Sequence, residues 1–166
     1  MKKIQVSLLA AAVVALLFSC SKESTPSAAE TNSVLLAGAK GGTKSWKIDS
    51  LLFSKNGAAK QLAGLYGCQL DDVYKFSNND HQDFEHNEGL SKCASTDSTL
   101  VENGSWALTS NGKNIEFGLE IFSQNYILTN LGPGTINSLT DKHMELMFTQ
   151  YLGANTYVLY FEFSKL

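Results

Sequence analysis

Arginine is absent from all 166 residues. The side chain best shaped for bidentate pairing with carboxylates and phosphates is therefore missing, and the 13 lysines are outnumbered by 16 acids. Without a basic patch the chain lacks the electrostatic footprint of a nucleic-acid binder. Also missing are zinc spacings of the H-x-x-x-H or C-x-x-C kind, a nucleophile elbow, and any order of Ser, His and acid that suggests a triad. No period of 20–50 residues repeats, which sets propellers and solenoids aside. No catalytic residue, metal ligand or cofactor is assigned, and an enzyme is not expected. One domain fits the length.

The N-terminus carries information. "MKKIQVSLLAAAVVALLFSC" places two lysines before an apolar run from Leu8 to Phe18. That run is short of the ~20 residues a bilayer core requires, and the pattern reads as a secretory signal peptide over residues 1–19. Leu17-Phe18-Ser19-Cys20 resembles the lipobox of bacterial lipoproteins, which implies that Cys20 is lipidated and becomes the new N-terminus. Ser21 after the cysteine implies, by the same resemblance, an outer-membrane lipoprotein facing the periplasm or the cell surface. Residues 20–42, including "SKESTPSAAETNS", read as the lipidated cysteine and a polar tether.

With Cys20 assigned to lipid, Cys68 and Cys93 remain as an even pair in an exported chain, and a disulfide is expected. Two free thiols are the alternative. From Thr43 to Leu166 the pattern alternates with period two between Gly/Asn-rich turns. In "SWKIDSLLF" the inward set is Trp46, Ile48, Ser50 and Leu52. Asn111-Gly112 is flanked by Trp106 and Leu108 on one side and by Ile115, Phe117, Leu119 and Ile121 on the other, a hairpin signal. Met144, Leu146 and Phe148 share a face, as do Tyr157, Leu159, Phe161 and Phe163. About eight strands follow, with only "AAKQLAGLYG" (58–67) suited to a short helix. Antiparallel sheet that closes on itself removes its edges, so an all-β, eight-stranded up-and-down barrel is expected, with a β sandwich as the alternative.

"NNDHQDFEHNEG" (78–89) packs Asp80, His81, Asp83, Glu85, His86 and Glu88 together like a metal site. The turn-forming run Ser77–Asp80 lies beside the midpoint between Cys68 and Cys93, so the segment reads as a hairpin stapled near its base. On the strand after the turn, side chains alternate. Phe84 points inward with Gln82 and His86, while His81, Asp83 and Glu85 point outward. The two histidines are then on opposite faces, and Lys75 stands opposite the outer acids as counter-charge. A weak cation site using Asp80, Asp83 and Glu85 is the alternative. His143 is expected to be exposed. Asp72, on the side of Tyr74 and Phe76, is expected to be partly buried.

Taken in order, the lipobox, the polar tether, "LLAG…KSWKI", "C…DDVYKF", a second cysteine, "NGSWALTSNGKNIEF" and the closing "YVLYFEF" resemble the bacterial lipocalin-like domain lipoproteins. The resemblance covers about residues 34–166. It implies a lipocalin-like barrel over 43–166 with Leu35 and Leu36 turning beneath Trp46 to plug one end. It also implies an interior or mouth able to hold a small apolar or amphipathic molecule. Lys165 stands where a cation over an aromatic ring would serve. The ligand-facing set is Trp46, Tyr74, Phe76, Phe84, Trp106, Phe117, Tyr126, Phe148, Tyr157 and Phe161. The alternative is that these side chains fill the barrel and the lipoprotein works by contact with a protein or glycan of the envelope, through aromatics such as Phe53, Tyr151 or Tyr160.

Overall fold

The computed structural model describes residues 25–123, 127–128 and 131–166. Cys20, the signal peptide and Tyr126 lie outside them. Among the described residues a helix, α1 (Ala28–Ala37), precedes nine strands: β1 (Thr43–Lys55), β2 (Gln61–Ala63), β3 (Val73–Ser77), β4 (Asp83–Asn87), β5 (Leu100–Thr109), β6 (Asn114–Ile121), β7 (Gly134–Leu139), β8 (His143–Leu152) and β9 (Asn155–Lys165). Each of β3 to β8 pairs antiparallel with the next, β1 pairs with β3, and β1 also pairs with β9. This closes an eight-stranded up-and-down barrel. The short β2 lies outside the ring, paired with β1 through Leu51–Phe53.

Closure depends on β1 being long enough to change partners along its length. Thr43–Trp46 pair with β3, and Trp46–Lys55 pair with β9. A bulge at Asp49, between Ile48 and Ser50, shifts the register by one residue. Such a slip exchanges the faces of everything beyond it. Ser50 and Leu52, expected inward, therefore turn outward, while Leu51 packs on the core. Phe53, expected as an exposed aromatic, is half-buried opposite Leu159 for the same reason.

The helix falls within the stretch read as tether, not at 58–67. Ser27 and Glu30 form a capping box: the Ser27 hydroxyl accepts from Glu30 N, and the Glu30 carboxylate accepts from Ser27 N. That S-x-x-E signature was present in the sequence. Residues 58–67 instead make β2 and a loop leading to a single 3-10 turn at Gly67–Gln69. Leu36 and Ala37 are fully buried, so α1 belongs to the barrel's core and plugs one end. Its C-terminal carbonyls are satisfied from β1: Trp46 Nε1 donates to Leu36 O at 2.9 Å and Lys44 Nζ to Leu35 O at 2.8 Å. The expected plug under Trp46 is thus the last turn of a helix. Lys165 pairs with Asp141 at 3.6 Å, not with an aromatic ring.

At the other end of α1, Ala29 lies against Gly112 in the β5–β6 turn, and Asn32 Nδ2 donates to Gly112 O at 2.9 Å. Gly112 has φ +83°, and a Cβ there would sit 2.8 Å from Ala29 Cα. Glycine serves both the turn and the close approach of the helix.

Candidate functional site

The interior divides into two halves. Towards α1, Trp46, Phe76, Phe84, Trp106, Ile115, Met144 and Leu146 are buried together. Phe76 packs edge-on against Phe84 and Trp106, and Phe84 edge-on against Phe117. Further down, Phe148 packs edge-on against Phe161, which stacks on Phe163. Of the expected ligand-facing set, Trp46, Tyr74, Phe76, Phe84, Trp106, Phe148 and Phe161 are at most 2% exposed and belong to one core. Phe117 is partly buried against them, and Tyr157 is half-buried beneath the ammonium of Lys55.

The half away from α1 holds a polar cluster. The inward row on β3 and β4 runs Phe76–Tyr74 and Phe84–His86, because alternate residues share a face. On β5 the same alternation from Trp106 leads through Gly104 to Glu102. The register then sets Tyr74, His86 and Glu102 side by side. His86 Nδ1 lies 2.9 Å from Glu102 Oε2, and His86 Nε2 lies 3.0 Å from Asp72 Oδ2. All three side chains are 0–1% exposed. The ring of Tyr74 stacks on His86 with centroids 4.2 Å apart.

Burial pulls the His86 pKa down, but its hydrogen bonds to Asp72 and Glu102, and their charge, outweigh this and leave it raised. For Tyr74, burial and then the nearby Asp72 and Glu102 charges push the phenol well above its ordinary value. Its hydroxyl has no hydrogen-bond partner among the described residues. The cluster can hold a proton between two acids, yet no face of it meets solvent where a substrate would approach.

The sequence indicates two of its members: His86 pointing inward, and Asp72, expected partly buried and found almost fully so. Glu102 is not among them, although the alternation running back from Trp106 places it inward. Asp72 also reaches the connection after β4, where its Oδ1 accepts from Gly89 N at 3.1 Å. Its neighbour Asp71 accepts from Ser91 N at 2.9 Å. Within the same connection Cys93 is disulfide-bonded to Cys68, Cα atoms 5.1 Å apart, so the expected staple is present. A disulfide is at home in an oxidising, exported compartment. No helix among the described residues is long and apolar enough to cross a membrane.

The outward acids of the 78–89 run do not converge. Asp80 faces Lys40 at 3.8 Å, Glu85 pairs with the expected Lys75 at 3.2 Å, and Asp83 accepts from Asn79. His81 and His143 are exposed. An open groove of about 540 Å³ over β4, β5 and β6 is lined by His81, Asp83, Glu85, Asn103 and Glu120, among others.

The rim away from α1 differs in character. Leu62, Tyr66, Leu70, Leu90, Phe122 and Tyr151 are exposed there, Leu90 completely. They lie on the connections after β1, β4 and β6, or near strand ends that reach that rim. No protein-family model matches this chain, and no protein of described function matches it in sequence.

Proposed function

We propose that this protein is an exported, lipid-anchored envelope protein whose barrel is a filled scaffold and which works through a protein contact made by the rim opposite α1. One observation carries the reading: the aromatic set that would have lined a ligand cavity packs on itself, while Leu90, Phe122 and Tyr151 are among the large apolar side chains left exposed at the end away from α1. Exposed apolar groups in one place favour burial against a partner. Three of its six exposed groups are leucines, which offer a sugar neither a ring face nor a hydrogen bond, so a protein suits this rim better than a glycan.

The topology agrees with an anchor at the opposite end. α1 begins eight residues after Cys20 and lies across the closed end. A lipid on Cys20 would hold that end within about 30 Å of a membrane, since an extended residue spans ~3.5 Å. The rim would face away from the lipid.

The test is capture from envelope membranes by the full chain, compared with a variant carrying Tyr66→Ser and Leu90→Ser. A stoichiometric protein recovered with the native rim and lost with the variant supports the reading. Equal recovery with both, or none with either, counts against it.

A second reading, an amphipathic small molecule inside the barrel, is favoured by the buried Tyr74 hydroxyl, which lacks an acceptor. Native mass spectrometry separates the two. A bare chain mass agrees with a filled barrel, and a reproducible added mass released on denaturation would replace that reading with the small-molecule one.

A further inference from the structure

We propose that His86 is an imidazolium at neutral pH and that its proton clamps the 88–92 segment, so that the rim is remodelled when the proton leaves. The consequence for the rim rests on the contact reading above. The chemistry of the clamp does not.

A neutral imidazole has one N–H and one lone pair. Both ring nitrogens of His86 are at hydrogen-bond distance from carboxylate oxygens, one of Asp72 and one of Glu102. With a neutral ring, one of these contacts sets a lone pair against an anion inside the protein. With an imidazolium, both are donated hydrogen bonds between opposite charges. The groups around the ring reinforce this. Asp72 comes from the loop before β3, Tyr74 from β3 and Glu102 from β5, with Phe163 of β9 edge-on to Tyr74. Glu88, buried two residues further along, adds another acid to this end.

Asp72 is the side that yields. Glu102 is fixed by ladder positions opposite both His86 and Ile121. Asp72 lies outside β3, and its other oxygen holds the Gly89 N–H. When the ring becomes neutral, repulsion is relieved most readily by movement of Asp72, and the Gly89 tie moves with it. Leu70 stands two residues before Asp72, and Leu90 stands between Gly89 and Ser91. Both are exposed apolar groups of the rim. The Cys68–Cys93 bond keeps the segment attached while it shifts.

The test is an NMR titration of the full chain in detergent, read at the His86 ring nitrogens and at the Gly89 and Ser91 amides. We expect both ring nitrogens protonated at about pH 7, above the ordinary His midpoint of about 6.5. At higher pH the ring should lose its proton and the two amide signals should move with the same midpoint. A neutral ring at neutral pH overturns the proposal, and so does ring titration that leaves Gly89 and Ser91 unmoved. His86→Gln should abolish the shared transition, and the native titration decides the matter if that variant does not fold. The readout needs no partner, so a failed capture with an intact titration would refute only the contact reading.

Discussion

Trp46 donates its indole N–H to the carbonyl of Leu36, ten residues earlier, with both residues fully buried. This single bond joins the first barrel strand to the helix that plugs the barrel. It satisfies a carbonyl at a helix end, where the intrahelical partner is missing. Trp46→Phe keeps an aromatic ring but removes the donor. The variant should lose about 1–3 kcal/mol, the cost of a buried acceptor left unpaired. Urea unfolding monitored by far-UV circular dichroism would measure it.

Gly112 and Gly57 make a matched test of how the helix docks. Both have positive φ, but a Cβ at Gly57 meets nothing within 4 Å, whereas at Gly112 it meets the backbone of α1. Gly57→Ala should cost about 1 kcal/mol, the strain of a left-handed conformation alone. Gly112→Ala should cost distinctly more. Equal losses would show that α1 yields without penalty.

Removing His86 leaves Asp72 and Glu102 buried without their cation. His86→Leu should therefore destabilise the fold by roughly 3–5 kcal/mol, as breaking one side of a buried ion pair does. His86→Leu with Asp72→Asn and Glu102→Gln should recover part of that loss, because no buried charge is then left over.

The His86 proton also sets how stability depends on pH. Its folded pKa is raised, so between the unfolded value of about 6.5 and the folded value the native state holds more protons than the unfolded one. Stability is then highest below the unfolded value and falls as pH rises through the folded one. Thermal unfolding across that window should show the native melting temperature falling with pH, with the slope absent in the triple variant His86→Leu, Asp72→Asn, Glu102→Gln, where neither the ring nor its buried acids titrate.

The disulfide encloses a segment with a sequence separation of 25. Replacing both cysteines by serine should cost about 3 kcal/mol by the loop-entropy estimate. A reducing agent added to the native chain should reproduce that loss and leave the serine variant unaffected.

Much of this molecule was open to reading from local pattern. Period-two alternation located β1, β3 to β6, β8 and β9, with the inward His86 and the outward His81, but missed β7 and marked a helix where β2 forms. The spacing of Cys68 and Cys93 about a turn indicated the staple. The S-x-x-E box at Ser27 marked a helix start as well, but its polar surroundings made a tether the simpler reading, because α1 gains its stability from burying Leu36 and Ala37 against a barrel that only the full chain supplies.

Other features depended on strands distant in sequence. The bulge at Asp49 arises from matching β1 to β9, more than a hundred residues later, and it reversed the faces of Leu51, Leu52 and Phe53. Likewise, Asp72, His86 and Glu102 each have an inward position that alternation can supply. Their meeting at hydrogen-bond distance depends on the register of three neighbouring strands. Local periodicity decides which face a side chain takes, whereas closure of the sheet decides what it meets there.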